Sequence, residues 1–323
     1  MTKEITRKLP GYGRSGDGMR AARVWVGVAL GVMLLLAGLF GVAVPSGAAA
    51  SRLVKNTTTK DLNSLLPAAI RKAGVLTIAT DPTFPPYEFY QGTKLTGYEP
   101  ALMKALGVVF HIRINIVAAG FNELIPGVKA GRFQVAMSGI SDLPSREKEV
   151  TFIDYGRYET SIVVASGNPG HIGPNALSVC GRSLSGQYGT ITVTDVTVLS
   201  ANCKKHHLSA VKEVLFPDAG STFLAVLSGR VDGQIQDYIE AYYELEHAHG
   251  RVRVISPYSI LPKGPLGIIT KRGAFQLDHA LLEGIIALKT DGQYQRIYKA
   301  WHIPSAELAA PGINLGAHVN AGT

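Results

Sequence analysis

An α/β chain folded into two similar lobes is what this sequence predicts, and three observations predict it. From Leu62 onward, short apolar runs alternate with stretches of helical spacing, the pattern of strands and helices taking turns. The early strand-like runs each stop at a turn rich in Gly, Pro, Ser or Asp. A helix–turn–strand joint also recurs: Ala130-Gly131-Arg132-Phe133-Gln134 leads to Ser138, and Ser228-Gly229-Arg230-Val231-Asp232 leads to Gln236-Asp237, at an offset of 98 residues. In each copy a polar group follows the glycine by seven residues, at the carboxyl end of a strand, where open α/β sheets bind ligands.

The elements follow in order. Residues 62–72 read as a helix stopped by Gly74, and 75–80 as a strand. A helix over 100–109, a strand over 112–117, a helix over 122–130 ended by Gly131 and a strand over 133–137 complete the first run. Later, 266–270 reads as a strand and 276–290 as a helix, and Asp291-Gly292-Gln293 leads into another helix through Trp301. Two crossings between lobes are expected at 162–165 and 261–269, with Gly, Pro or Ser supplying hinge freedom. Lobe 1 then comprises 74–165 and 264–305, and lobe 2 comprises 166–263. Residues 51–73 are an N-terminal extension with a helix, and 306–323, rich in Ala, Gly and Pro, read as a loose tail.

The first 50 residues carry a separate signal. Arg20 and Arg23 precede an unbroken apolar run over 24–44, followed by Pro45-Ser46-Gly47 and Ala48-Ala49-Ala50. This reads as a secretory signal with a small-residue cleavage site, or as a membrane anchor if it is not cut. Met19 is an alternative start, and no cysteine near Ala50 offers a lipid attachment point. The protein is therefore expected to be periplasmic or otherwise extracytoplasmic. The two cysteines, Cys180 and Cys203, are expected to form a disulfide in that oxidising setting.

Composition narrows the function further. The chain has 323 residues, 46% apolar and 17% charged, which is ordinary for a folded protein. Its net charge is +8, but the first 50 residues hold six Lys/Arg and two Asp/Glu, leaving 26 basic against 22 acidic residues. That balance, without a basic stripe interleaved with aromatics, argues against nucleic acid as a partner. No phosphate-cradling loop or nucleophile elbow is present, so no cofactor is expected. His206-His207 and His247-Ala248-His249 lack ligand partners at metal-binding spacing, so no metal is expected either.

Several strand ends carry chemistry. At Ser138-Gly139-Ile140-Ser141-Asp142-Leu143-Pro144-Ser145-Arg146 an apolar run gives way to hydroxyls and an arginine, a natural seat for a carboxylate. Arg146 beside Glu147 and Glu149 also reads as a solvated helix start. Asp81 ends the first strand before a proline-stiffened loop bearing Phe84 and Tyr87, and Phe121 follows Gly120. These rings read as stacking walls, with Tyr87 equally placed for lobe core. Asp237 is a cleft carboxylate suited to an ammonium, Asp81 suits a second ligand donor, and Gln187 and Gln236 are either side-chain readers or surface glutamines.

The sequence resembles the type II periplasmic amino-acid-binding proteins, solute-binding family 3, which feed ABC importers. The resemblance runs over about residues 62–305 and rests on several segments in order. They are Leu76-Thr77-Ile78-Ala79-Thr80-Asp81 with Phe84 and Pro86, Leu95-Thr96-Gly97-Tyr98-Glu99, Phe121-Asn122-Glu123-Leu124-Ile125-Pro126, and Ser138-Gly139-Ile140-Ser141 with Arg146. Phe152-Ile153-Asp154-Tyr155, Gly189-Thr190, and Gly229-Arg230-Val231-Asp232 with Gln236-Asp237 continue it. It implies a two-lobed periplasmic-binding-protein-like II clamshell, each lobe an open sheet flanked by helices, with two hinge crossings. It further implies that Arg146 holds an α-carboxylate with Ser141, Thr190 and backbone groups of Gly139, that Asp237 holds the α-ammonium, and that Phe84 and Phe121 sandwich the side chain. The implied partners are a free amino acid and the membrane permease subunits of an ABC importer, with the binding protein itself a monomer.

Asp142-Leu143, Ile191 and Ala101 depart from the family pattern, and Asp142 is expected to place an extra carboxylate near the mouth. Asp81 should repel acidic side chains, which favours polar amide or cationic amino acids. Two other functions fit the same clamshell. A dehydratase acting on a prephenate-like or arogenate-like acid would need Glu88 or Glu240 as a general acid, and neither is expected to point into the site. A sensory ectodomain would keep the pocket and an uncut anchor.

Overall fold

The computed structural model describes residues 61–255 and 258–319. The expected signal or anchor over 1–50 lies outside the described residues, as do 51–60 and 320–323. A first turn of 3-10 helix, Leu62–Leu65, and α1, Ala68–Ala73, stand where one helix was expected. Pro67 separates them, since its ring and missing N–H interrupt the helical ladder.

The chain continues through β1 (Val75–Thr80), β2 (Thr83–Phe84), β3 (Glu88–Gln91), β4 (Lys94–Thr96), α2 (Tyr98–Val109), β5 (Arg113–Ala118), α3 (Phe121–Lys129), β6 (Val135–Ala136), α4 (Pro144–Glu147) and β7 (Val150–Ala165). Then come β8 (Ser183–Gln187), α5 (Thr192–Lys205), β9 (Lys212–Phe216), α6 (Ala219–Leu227), β10 (Gly233–Asp237), α7 (Tyr238–His247) and β11 (Val252–Ile255). The last elements are β12 (Lys263–Lys271), α8 (Phe275–Thr290), α9 (Gln293–Ala300), β13 (Glu307–Ile313) and α10 (Gly316–Val319).

Strand order divides these elements into the two expected lobes. Lobe 1 has the order β5-β1-β6-β12-β7, with β13 also on β7, and lobe 2 has β7-β10-β8-β9, with β11 also on β7. β1 lies parallel to β5 and β6, and β8 lies parallel to β9 and β10, so in each lobe neighbouring strands end on the same side. Leu76, Ile78, Leu102, Phe110, Leu281 and Tyr298 lie in the lobe 1 core, while Ile162, Val164, Leu184, Leu199 and Ile235 lie in that of lobe 2. Gly131 and Gly229, the repeated joint, take φ of +75° and +70° with open space where a Cβ would stand. Both use glycine for a left-handed turn between helix and strand.

The hinge differs from its expected position. β7 is one continuous strand of 16 residues. Its residues up to Glu159 pair with β12, and Thr160 to Val163 pair with β10. The crossing therefore falls between Glu159 and Thr160, and 162–165 belong to the lobe 2 sheet. The second crossing lies between β11, paired to the lobe 2 part of β7, and β12, whose residues from Lys263 onward pair with its lobe 1 part. The tail was also misjudged: β13 pairs antiparallel with β7, and α10 follows it. A disulfide joins Cys180 to Cys203, tying the segment before β8 to α5.

Candidate functional site

A cavity opens between the lobes and takes its walls from the predicted strand ends. Phe84, Phe121, Gly139 and Ser141 line it from lobe 1, and Gln187, Thr190 and Asp237 from lobe 2. Tyr158 on β7 and Leu266 on β12 form part of its lining. The Phe84 ring stacks on Tyr87 with centroids 4.3 Å apart, and Tyr87 is fully buried, so Tyr87 is core that braces a cavity wall. Gly139, at φ +53°, lies so close that a Cβ would come within 2.7 Å of Phe84 Cε1. Its amide donates to Glu99 Oε1 at 2.8 Å, and Glu99 also accepts from the Tyr155 hydroxyl.

Arg146 stands behind this lining. α4 starts at Pro144, whose preset φ suits a first helical turn, and carries Arg146 inward until it is 9% exposed. Nη1 donates to Ser141 O at 2.9 Å, and Nη2 crosses the cleft to Gly189 O at 2.8 Å. The ion pairs among the described residues are Lys129–Glu149 and Arg132–Glu123, and neither involves Arg146. Burial lowers its pKa to about 10, against the opposing effects of Tyr158 and Asp142. A buried guanidinium without an ion-pair partner is costly, and an incoming anion relieves that cost.

Asp81 also lies just outside the lining. Its carboxylate accepts from Thr83 Oγ1 at 2.8 Å and from Gln187 Nε2 across the cleft at 2.7 Å. Burial raises its pKa, and those two bonds oppose the rise. Gln187 is therefore a buried interlobe partner, and the surface reading of it fails. Thr190 Oγ1 donates to Gln187 O at 2.9 Å and lies 2.7 Å from Thr192 Oγ1.

The lobe 2 wall is acidic. Asp237 ends β10 and caps α7, accepting from Ile239 N at 2.8 Å and Glu159 N at 3.3 Å. Burial pushes its pKa up to about 7 despite those bonds. Asp195 on α5 accepts from Thr160 Oγ1 at 2.8 Å and is held at about 7, chiefly by burial. Glu240 lines the cavity at 2% exposure, and burial, then Glu244, Asp237 and Asp81, raise its pKa well above the usual range. Glu244 accepts from Gln236 Nε2 at 2.5 Å and is raised by burial to about 8. Gln236 lines the cavity but is committed to this network, receiving from Gln234 as well.

Glu240 is the main residue that sequence reasoning missed, and its expected position away from the site is corrected. Asp237-Tyr238-Ile239-Glu240 has capping-box spacing, which puts Glu240 in the first turn of a helix without saying what that turn faces. Asp237 caps the helix, while Glu240 faces the cavity instead of only solvent. Glu88, the other candidate acid, is buried beneath the site, accepting from Ser138 Oγ at 2.5 Å, and does not line the cavity. Asp142 is corrected too. It is fully buried, and it accepts from Gly316 N at 2.8 Å on the side of the C-terminal segment, away from the mouth.

Known proteins share this architecture. The sequence model of the bacterial extracellular solute-binding proteins, family 3, matches residues 76–304. The arginine-binding protein ArgT of Corynebacterium glutamicum is 27% identical over 260 residues, covering 79% of this chain and 83% of its own length. The histidine-binding periplasmic protein of Escherichia coli K12 is 24% identical over 232 residues, or 69% and 86% of the two chains. An ancestral arginine-binding protein bound to arginine superposes with a TM-score of 0.63 at 26% identity, covering 71% of this chain and 98% of that one. An ancestral amino acid-binding protein that is a precursor of cyclohexadienyl dehydratase has a TM-score of 0.60 at 25% identity, covering 72% and 97%.

Proposed function

We propose, from the premise that this chain belongs to the bacterial extracellular solute-binding proteins, family 3, that it captures a free amino acid with a cationic side chain. It does so outside the cytoplasm, as a monomer, and passes the ligand to the permease subunits of an ABC importer. The observation that carries this reading is the polarity of the cleft. Buried Arg146, without an ion-pair partner among the described residues, stands behind one side, and half-buried Asp237 and buried Glu240 line the other.

A zwitterion suits both. The α-carboxylate binds Arg146 with the Ser141 and Thr190 hydroxyls, and the α-ammonium binds Asp237. Phe84 and Phe121 enclose the aliphatic part of the side chain. Its distal cation then meets Glu240, with Asp81 nearby and Asp195 adding negative potential. An acidic side chain would confront these groups in a partly desolvated space, which is unfavourable. Relatives whose names state arginine or histidine binding support the cationic choice.

Titration calorimetry with arginine and citrulline tests the reading, because citrulline keeps the shape and loses the charge. Arginine is expected to bind at least ~10-fold tighter, as a desolvated charge pair contributes roughly 2–5 kcal/mol. Glu240→Gln should collapse that ratio while citrulline binding stays within about twofold. Equal binding of the two ligands by the unmodified protein would refute the cationic assignment. One observation favours a second reading, a dehydratase: Glu240 is a buried, cavity-facing carboxyl of raised pKa, as a general acid must be. Turnover of prephenate or arogenate would establish it.

A further inference from the structure

We infer that residues 307–317 form a strap that locks the Ser141–Arg146 loop to hinge strand β7, and that this strap sets the affinity for the ligand's carboxylate. The inference rests on the amino-acid-binding reading for its ligand and on geometry for the strap itself. The match to the family ends at residue 304, just before the strap begins.

Backbone pairing fixes the first half of the strap. β13 pairs with β7 through Glu307 with Gly156, Gly312 with Asp154 and Ile313 with Ile153. Asn314 then exchanges two bonds with Phe152, accepting its N–H at Oδ1 at 2.8 Å and donating its own N–H to the Phe152 carbonyl at 3.1 Å. Three successive amides next meet three different carboxyl groups. Leu315 N donates to Asp154 Oδ2 at 3.0 Å, Gly316 N to Asp142 Oδ2 at 2.8 Å and Ala317 N to Glu147 Oε1 at 2.9 Å.

Those acceptors define what the strap holds. Asp154 belongs to the hinge strand, whereas Asp142 and Glu147 bracket Arg146 in the loop and α4. On its other side the loop is anchored to β12, with Asp142 N donating to Pro265 O at 3.0 Å and Ser141 bridged to Leu266. The loop that presents Ser141 and Arg146 to the cleft is thus gripped from front and back. Asp142 and Asp154 are both fully buried and lie within hydrogen-bonding reach of each other, so a shared proton relieves their repulsion. Close approach is part of the design: a Cβ on Gly316 would lie 2.3 Å from the Asp142 carbonyl oxygen.

Two variants of the full chain test the strap. Gly316→Ala inserts a methyl against the loop backbone, and Ala317→Pro removes the amide that reaches Glu147 and also restricts Gly316 before it. Hydrogen exchange is followed over residues 139–149, and affinity is measured for arginine and for argininamide, which lacks the carboxylate. The expected result is faster exchange in that loop with lobe 2 unchanged, about tenfold weaker arginine binding in Gly316→Ala, a smaller loss in Ala317→Pro, and argininamide binding nearly unaltered. Unchanged exchange, equal losses for both ligands, or loss of cooperative melting in both variants would overturn the inference. If the unmodified protein binds no amino acid, the functional reading fails, and loop exchange alone still decides whether the strap holds the loop.

Discussion

Replacing Asp237 by asparagine should make the unliganded protein more stable and its binding much weaker. Burial holds the Asp237 carboxyl at about 7, against 3.8 in its ordinary state. Above about pH 4 the unfolded chain releases this proton and the folded chain keeps it, so stability drains away as pH rises toward 7. The ceiling on that cost is about 4 kcal/mol, at roughly 1.4 kcal/mol per pKa unit. Asparagine cannot ionise, and it still caps Ile239, since Asn and Asp are equivalent N-caps. It gives up the long bond from Glu159 N, about 1 kcal/mol. The variant should therefore gain up to about 3 kcal/mol at pH 8, a rise of several degrees at roughly 2–4 °C per kcal/mol, and at pH 4 lose the roughly 1 kcal/mol of that bond. Scanning calorimetry at pH 4, 6 and 8 measures the gain, and arginine titration should show a loss of at least ~100-fold. A variant that melts at or below the unmodified protein at pH 8, or that gains equally at pH 4, would refute this account of Asp237.

Three further outcomes follow from the same geometry. Arginine affinity should rise between pH 6 and 8, because a bound cation favours the ionised forms of Asp237 and Asp195, held near 7, and of Glu244, held near 8. Calorimetry in buffers of different ionisation enthalpy should detect released protons, and a pH-independent affinity would contradict it. Gly139→Ala should weaken binding by about tenfold, since the new methyl at positive φ drives Phe84 from the wall, and a competition titration checks it. Replacing both Cys180 and Cys203 by serine should cost roughly 3 kcal/mol of stability, read as a lower melting temperature in lobe 2 with the ligand preference unchanged.

Much of the fold and part of the site were legible because local rules decide them. Asp81 could be placed because it follows the apolar run of β1, and Asp237 because it ends the strand after the repeated glycine joint; a strand end in a parallel sheet faces the binding edge. Ser141 was readable for the same reason, but Asp142 was not. Neighbouring residues in extended chain face opposite ways, so Ser141 faces the cleft and Asp142 the strap. Glu240 required knowledge of how lobe 2 sits against lobe 1, which no local period encodes. The strap was illegible because its Ala, Gly and Pro carry no amphipathic period. Its partners are the edge of β7 and carboxyl groups more than 150 residues earlier in the chain. The hinge was misplaced because β7 crosses it without a break, leaving no compositional mark at Glu159 and Thr160.

The most direct test is a thermal-shift panel on protein stripped of ligand by unfolding and refolding, run against the twenty standard amino acids. At 100-fold excess over the dissociation constant a true ligand adds about 2.7 kcal/mol, a shift of several degrees. The account predicts the largest shifts with arginine, lysine or histidine and none with aspartate or glutamate. No shift with any amino acid, or the largest shift with an acidic one, would contradict it.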